Sequence, residues 1–428
     1  MALSSSPSAR RRRLWRASFA KVVLLATYLS GCGAPKDRGG VPPGVDVGSW
    51  EPGKGVLDPA EVAVVDSLMS DLTLPGTDAY GSPLDTLDRR ALQRWIRAGH
   101  VDSAGAVLAA RWAATQSDIM NEMQLYNAYE SLFVRSSAIE GGLLRWVVSQ
   151  PQRVEPYAAL AYYHYGRAYE WRTGKAIRDV KPERLVEMRK HAALSRAYAD
   201  SALRLEPTHL IAHYLRINIS RLAGRDTMEI RQTVTDAVAA QPQSFLIWND
   251  VIGLLEPRWG GSYEAMDAVA QAAQQHADAN PRLRVLLGRV ALDRANVAMF
   301  DRDRDRAMEL WAEARGYGED YFVALGLSEI HHRFNEYAPA LRAAYAARRH
   351  LPQGRSAMGL RAHMLTEVGA LTADSTLRHR VWEQANDELR AIAAMMVPLE
   401  DPATDLAKLA HARTWCSRFA APCMEVPR

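Results

Sequence analysis

Apolar residues recur at intervals of three and four from Pro59 onward, which is the spacing of one face of an α-helix. Two of these faces are Val62, Val65, Leu68 and Met69, and Leu87, Leu92, Trp95 and Ile96. Prolines and paired glycines, such as Gly141 and Gly142, separate the faces at helix-sized intervals. Runs of alternating polarity, which are typical of strands, are few. The pattern therefore predicts an all-α fold.

A longer period of about 35 residues runs through the middle of the chain. Pro207, Pro242, Pro281 and Pro352 mark it, and an alanine lies five residues before the first, the second and the last of them. Small residues let helices pack closely, and proline ends a helix. The period resembles that of the tetratricopeptide repeat, a helix–turn–helix unit. This resemblance implies a superhelical stack of antiparallel helix pairs over about residues 183–352, because no pair buries its apolar face alone.

The clearest unit of this period runs from Tyr321 to Pro352. Residues 335–337 predict the turn between its two helices, and Ala340, Ala344 and Ala347 predict close packing along the second helix. The early Trp, the Gly–Tyr pair and the late aromatic residue of the tetratricopeptide pattern are mostly absent. The predicted repeats are therefore degenerate.

One motif interrupts the period. Residues 257–262 read Pro-Arg-Trp-Gly-Gly-Ser, and residues 171–174 read Trp-Arg-Thr-Gly. Together these segments resemble an uncharacterised bacterial family, a helical domain of unknown function, over about residues 91–277. The first segment matches that family's Pro-x-Trp-Gly-Gly-Ser pattern, whereas the second departs from its Trp-x-Arg-Gly pattern. The resemblance implies a helical fold and no particular reaction.

The first 31 residues have the features of a secretory signal, because basic residues 10–13 precede a short apolar run over residues 22–29. Residues 29–32 read Leu-Ser-Gly-Cys, which resembles the lipobox of bacterial lipoproteins. The resemblance implies that Cys32 is acylated; an ordinary signal with an incidental cysteine is the alternative. Gly33, in place of an aspartate, favours the periplasmic face of the outer membrane, with the inner membrane as the alternative.

Residues 32–56 predict a flexible tether, because seven glycines and four prolines fall within residues 33–55 and such a segment buries little apolar surface. A helical-repeat domain over residues 57–400 and a C-terminal segment over residues 401–428 follow. Cys416 and Cys423 lie in that last segment. In an oxidising compartment this pair favours a disulfide, with free thiols as the alternative. A zinc site would lack ligands there.

The charge distribution bears on the kind of partner. Six basic residues and no acidic residue lie within residues 1–31, which leaves 47 basic and 49 acidic residues in the rest of the chain. A nucleic-acid-binding protein carries a basic patch or stripe. We therefore expect no nucleic-acid partner, and contact with the membrane through the lipid anchor only.

Motifs for catalysis, metals and cofactors are missing from the sequence. His209 and His213 could share a helix face toward a metal, but no further ligand lies beside them. Glu329, His331 and His332 lie close together without the His-Glu-x-x-His spacing of zinc peptidases. A Gly-rich phosphate loop and a Gly-x-Ser-x-Gly nucleophile are absent. We therefore predict no catalytic residue, no metal site and no cofactor.

Three aromatic residues are the candidates for a binding or a structural role: Trp259, Trp171 and Tyr165. The favoured interpretation of Trp259 is an indole that fills the gap between helix pairs, beside glycines that permit a tight turn. The alternative is an anchor for a partner. The aromatic cluster over residues 157–171 is interpreted as core packing rather than as a site.

We expect a lipid-anchored protein of the cell envelope that binds an unknown protein or peptide, because stacked helix pairs form an extended concave surface. A cell-wall enzyme or enzyme accessory with a site in the helical groove is the first alternative, and a purely structural envelope component is the second. Paired carboxyl groups with a raised pKa in the groove would favour the enzyme. A lining of aromatic, Arg and Asn side chains would favour binding.

Overall fold

The computed structural model describes residues 57–70, 76–85, 87–134, 136–172, 179–223, 227–352 and 354–396. Within these ranges the chain forms seventeen α-helices and no β-strand, which confirms the predicted all-α fold. None of these helices combines the length and the apolar character that crossing a bilayer requires. Cys32, Cys416 and Cys423 lie outside the described residues, so the lipid anchor and the disulfide stay predictions, as do the signal and the tether.

Five helices precede the repeating part of the fold. They are α1 (Pro59–Ser70), α2 (Arg89–Ala98), α3 (Val101–Ser117), α4 (Glu122–Glu130) and α5 (Ser137–Ser149). Polar caps and glycine set the ends of α2. The Asp88 side chain accepts hydrogen bonds from the backbone N–H groups of Arg90 and Ala91, and Gly99 ends the helix in the left-handed conformation with φ 80°.

Antiparallel helix pairs make up the rest of the described chain. The pairs are α6 (Val154–Arg172) with α7 (Pro182–Leu205), α8 (Leu210–Ala223) with α9 (Thr227–Ala240), α10 (Phe245–Leu254) with α11 (Tyr263–Ala273), α12 (Arg289–Phe300) with α13 (Arg304–Gly316), α14 (Tyr321–Arg333) with α15 (Tyr337–His350), and α16 (Arg355–Leu371) with α17 (Ser375–Met396). Short 3₁₀ helices lie at Ile119–Asn121, Pro257–Trp259, Gln274–His276 and Pro281–Gly288.

The first helices of neighbouring pairs also contact one another. Helix α6 packs against α8, α8 against α10, α12 against α14, and α14 against α16. Between α10 and α12 the 3₁₀ segment Pro281–Gly288 provides the contact. The structure is thus a stack of helix pairs, in which each pair covers the apolar face of the next.

The clearest predicted unit matches α14 and α15 closely. Asn335 takes the left-handed conformation in the turn between them, with φ 61°, and the three alanines of α15, Ala340, Ala344 and Ala347, are buried. Pro207, Pro242 and Pro352 follow the ends of α7, α9 and α15, as the period predicts.

Pro281 stands at a different point of its unit. Helix α11 already ends at Ala273, and Pro281 is the first residue of the 3₁₀ segment that precedes α12. The Asn280 side chain caps this segment by accepting from the Arg282 backbone N–H. Proline fits the first position of a helix because its missing N–H would have no partner there.

The N-terminal part of the described chain binds the second half of the stack. Helix α1 packs against α15, and the backbone N–H of Leu57 donates to the carbonyl of Leu371 over 3.3 Å. Further along, the Tyr80 hydroxyl donates to the carbonyl of Glu319 over 2.9 Å. These contacts join residues more than 200 positions apart in the sequence. They therefore hold the N-terminal segment against the last helix pairs of the stack.

A buried carboxylate joins α4 to the start of α10. Glu122 is fully buried and accepts hydrogen bonds from the Ser244 hydroxyl (2.6 Å), the Phe245 backbone N–H (3.0 Å) and the Asn280 side chain (3.0 Å). A carboxylate at a helix N-terminus also interacts favourably with the helix dipole. The contact holds α4 in place, and with it Tyr126, one helical turn further on.

Candidate functional site

A cavity of about 470 Å³ lies on the face formed by the first helices of five successive pairs. Each helix contributes side chains spaced by three or four residues, so that one face of each points to the same space. The residues that α6, α8, α10, α12 and α14 contribute include Tyr162, Tyr165, Tyr169, Tyr214, Asn218, Arg221, Asn249, Asp250, Gly253, Arg289, Asp293, Asn296, Phe322, Gly326 and Glu329.

One wall of the cavity is aromatic. Tyr162 and Tyr214 stack with their ring centroids 6.5 Å apart, and Tyr126 meets Tyr214 edge to face at 5.4 Å. Phe133 meets Tyr165 edge to face at 6.2 Å. Burial raises the pKa of Tyr165 and of its buried neighbours, so their hydroxyl groups stay neutral near pH 7. These contacts make a stiff apolar wall with hydroxyl groups on it.

The other wall carries guanidinium and amide groups. Arg289 donates to Asn249 Oδ1 over 2.9 Å and to Asp320 over 2.6 Å. Its remaining nitrogen, Nη1, is buried and finds no hydrogen-bond partner among the described residues, and the same is true of Asn296 Oδ1. Arg221 donates to Asn218 Oδ1 over 2.8 Å. One donor atom and one acceptor atom just behind the surface of this wall are therefore left without a hydrogen-bond partner among the described residues of the free protein.

Carboxyl groups with raised pKa values lie in the same cavity. Burial raises the pKa of Asp250 to about 6, although Arg221 and a 2.7 Å hydrogen bond from Asn218 oppose it. Burial also raises the pKa of Glu329 to about 7, with His332 opposing the shift. The raised pKa of Glu329 keeps its protonated form accessible near neutral pH, so the side chain can accept a hydrogen bond when ionised or donate one when protonated.

The Pro-Arg-Trp-Gly-Gly-Ser motif forms the turn between α10 and α11. Gly260 takes the left-handed conformation with φ 91°. Gly261 lies so close to the backbone of Leu255 that a Cβ atom would overlap it. Ser262 then begins α11 by accepting from the Ala265 backbone N–H over 3.2 Å. The turn places Glu256, which precedes the motif, at the edge of the cavity.

The favoured interpretation of Trp259 predicts a buried indole between helix pairs, but the residue is 38% exposed. The tight turn beside the indole is made by Gly261, which approaches the backbone of Leu255 within the same α10–α11 turn. Instead, the indole Nε1 donates to Glu256 over 3.1 Å, and the Arg221 guanidinium lies 6.0 Å from the ring centroid.

Tyr165 and Trp171 have different surroundings. Tyr165 is buried and lines the cavity at the same time, so the core and the site share this residue. Trp171 lies at the end of α6, outside the cavity lining, with the guanidinium groups of Arg184 and Arg167 at 5.0 Å and 5.9 Å from its ring. Of the three aromatic candidates, only Tyr165 lines the cavity.

The two histidines of α7–α8 are packed side chains. His209, just before α8, is fully buried, with its ring 5.1 Å from that of Trp112, and burial lowers its pKa to about 3. His213 donates to the carbonyl of Pro207 over 2.8 Å. Neither belongs to a group of three metal-ligating side chains within the described ranges.

A different set of metal-ligating side chains comes together between α14 and α16. His332, His363 and Glu367 place their ligand atoms within 4.8 Å of one another. The sequence predicts no metal site here, because the two histidines are 31 residues apart. The separation of His332 and His363 is close to the repeat period, so the two residues lie on the first helices of neighbouring pairs. That near-match to the period is the signal from which the two histidines could have been paired.

Asp250, Arg289 and Glu329 were also not among the predicted site residues. Each lies on a different helix pair, and the sequence around each offers no motif. Compared with known protein families, the chain matches none, and no functionally described protein is significantly similar to it. The resemblance to an uncharacterised family over residues 91–277 therefore stays a prediction.

Proposed function

We propose that the protein is a lipid-anchored binding protein of the cell envelope, and that the cavity on the first helices holds a peptide or a segment of another protein. The observation that carries this proposal is the lining itself. The lining combines aromatic rings with the guanidinium group of Arg289 and the amide group of Asn296. Arg289 Nη1 and Asn296 Oδ1 are buried without a hydrogen-bond partner in the described part of the free protein, which costs free energy, and small side-chain movements on ligand binding would give both atoms a partner.

The chemistry of the lining matches that of a polypeptide. An amide side chain such as that of Asn296 resembles a peptide group and can pair with one. The guanidinium group of Arg289, which lines the cavity, is suited to a backbone carbonyl or a carboxylate. The rings of Tyr169 and Phe322, both partly exposed at the cavity, offer apolar surface to side chains. The cavity would thus recognise both the backbone and the side chains of the ligand.

The proposed location rests on the N-terminal sequence. Acylated Cys32 and the Gly- and Pro-rich tether would hold the domain near the membrane, on the periplasmic face of the outer membrane. The balance of 47 basic and 49 acidic residues beyond residue 31 disfavours a nucleic-acid partner. Within this proposal the membrane is contacted by the lipid alone.

Affinity purification of the lipidated protein after crosslinking in cells tests the proposal. We expect wild-type protein to recover a partner that Asn296→Ala and Tyr169→Ala recover poorly. Both changes remove groups from the cavity and leave buried partners intact, so the fold should persist. Val186→Ala, at an exposed position on the second helix α7, is the matched control. Equal recovery by all four proteins would contradict the proposal, and no recovered partner would favour the purely structural component.

A second candidate function is acid–base catalysis on the cell wall. It is favoured by one observation, namely that Asp250 and Glu329, in the same cavity, have pKa values raised to about 6 and about 7. Such values suit general acids and bases near neutral pH. Asp250→Asn and Glu329→Gln should then abolish release of fragments from purified cell wall while partner recovery is unchanged. Absence of any release by the wild-type protein would exclude this function.

A further inference from the structure

Two imidazole rings converge on one carboxylate between α14 and α16. His332 Nε2 lies 3.1 Å from Glu367 Oε2, and His363 Nε2 lies 2.9 Å from Glu367 Oε1. The two rings meet edge to face, with centroids 4.8 Å apart. Each histidine therefore directs the same ring nitrogen to the same small volume, which the carboxylate bounds on the third side.

The backbone holds these three side chains in place. His363 and Glu367 are four residues apart on α16, so they lie on the same face of that helix. His332 comes from the last turn of α14, the first helix of the preceding pair. The Glu367 side chain is 0% exposed, whereas those of His332 and His363 are 16% and 13% exposed. The set is thus rigid at its base and accessible to solvent at the two rings.

An ordinary histidine–glutamate pair elsewhere in the chain shows what is unusual here. His379 and Glu383 have the same four-residue spacing on α17 and lie 3.1 Å apart, but both are largely exposed, and the metal-ligating group found in the described ranges does not include them. A single such pair satisfies a carboxylate. The set at Glu367 adds a second imidazole and buries the carboxylate completely, which is costly unless a positive charge compensates it.

The donor atoms fit zinc. Zn²⁺ in proteins takes imidazole nitrogen and carboxylate oxygen, and a site with two histidines and one glutamate leaves one of four tetrahedral positions to water. The ring nitrogens lie 3.1 and 2.9 Å from the two carboxylate oxygens, and Glu367 Oε1 is buried without a hydrogen bond of good geometry to any described residue. With the metal bound, each ring would carry its remaining proton on Nδ1.

We propose that His332, His363 and Glu367 bind one Zn²⁺ ion, with Nε2 of each histidine and a carboxylate oxygen of Glu367 as its protein ligands. The site joins the first helices of two neighbouring pairs, so the ion would also hold α14 against α16. It lies one helical turn from Glu329, at the end of the cavity. The proposal does not depend on a ligand in the cavity, because all three residues belong to the helix junction itself.

Metal titration of the full-length lipidated protein, purified in detergent without a histidine tag and stripped with a chelator, tests the site. We expect one equivalent of Zn²⁺ to bind, and Co²⁺ to give the visible absorption of a four-coordinate site. His332→Gln and His363→Gln should weaken Zn²⁺ binding by more than roughly 10–100-fold, the range that loss of even a supporting residue produces. His379→Gln should bind as the wild type does.

Thermal unfolding followed by helical circular dichroism separates a metal site from a plain ion pair. Glutamine keeps a hydrogen-bond donor for Glu367, so His332→Gln and His363→Gln should both fold. Zn²⁺ should raise the melting temperature of the wild type and of His379→Gln, but not that of His332→Gln or His363→Gln. The proposal is overturned if the wild-type protein binds no stoichiometric Zn²⁺. It is equally overturned if His332→Gln and His363→Gln bind Zn²⁺ with wild-type affinity.

Discussion

The indole Nε1 of Trp259 donates a hydrogen bond to Oε2 of Glu256 over 3.1 Å, across the turn that follows α10. Glu256 lines the cavity and Trp259 does not. The tryptophan of the Pro-Arg-Trp-Gly-Gly-Ser motif therefore acts on the cavity through a neighbour, by fixing the orientation of a carboxylate at its edge.

This relationship predicts a small effect of Trp259→Phe on stability. The phenyl ring keeps an aromatic face for Arg221 and loses only the hydrogen bond, so the free energy of unfolding should fall by about 1 kcal/mol. Trp259→Ala should cost clearly less than the roughly 3–5 kcal/mol that the same truncation costs at a core position. Denaturant titration measures the difference, and partner recovery should fall at the same time. A loss above about 3 kcal/mol for Trp259→Ala would mean that the indole belongs to the core.

The glycine beside it should tolerate no side chain. Gly261→Ala places a Cβ atom against the backbone of Leu255, so the turn must move, and overpacking of this kind costs roughly 1–3 kcal/mol. Gly316→Ala is the matched control, because a Cβ atom there meets nothing within 4 Å. Thermal unfolding of the two variants should show a clear drop in the melting temperature for the first and almost none for the second. Equal melting temperatures would contradict the described turn.

Glu329 should make the stability of the protein depend on pH. Its pKa is raised from the ordinary value of 4.5 to about 7 in the folded state, by burial, so the folded protein binds the proton more tightly than the unfolded chain. The stabilisation is complete below about pH 4.5 and is lost as the pH rises through about 7. Glu329→Gln cannot lose a proton, and it should therefore exceed the wild type in stability at high pH only.

Denaturant unfolding of Glu329→Gln at two pH values measures this dependence. At about pH 8 the variant should be more stable than the wild type by up to about 3 kcal/mol, and at about pH 4 the two should be nearly equal. Glu309→Gln, which alters an exposed carboxylate, is the control and should show no such difference. The same gain at both pH values would show that the ionised carboxylate is not the cause.

Glu122 should be among the most sensitive polar positions. Its carboxylate accepts hydrogen bonds from Ser244, Phe245 and Asn280 in a fully buried position. Glu122→Ala leaves these donors without a partner, at about 1–3 kcal/mol each when no water replaces the carboxylate, so the melting temperature should fall steeply. Because α4 then loses its attachment to α10, partner recovery should fall as well. If the free energy of unfolding falls by less than about 1 kcal/mol, the hydrogen bonds of Glu122 do not stabilise the fold together.

The features that the sequence predicted correctly depend on residues that are neighbours in the chain. The turn at Asn335 and the buried alanines of α15 depend on neighbouring residues, and the pattern identified them correctly. The 38% exposure of Trp259 depends on how the α10–α11 turn packs beside Arg221 of the preceding helix pair, which no local pattern records. Asp250 and Glu329 share a cavity only because successive pairs stack at a particular angle, and no local pattern records that angle.

Site-specific photocrosslinking in cells shows whether a partner binds to the face formed by the first helices. A photoreactive residue replaces Phe322, which is exposed in the cavity. The comparison places the same residue at Val186, which is exposed on α7, the second helix of its pair. We expect one discrete crosslinked protein or peptide from position 322, none from position 186, and loss of the adduct when Asn296→Ala is added. Equal adducts from both positions, or an adduct from position 186 alone, would mean that this face is not the binding surface.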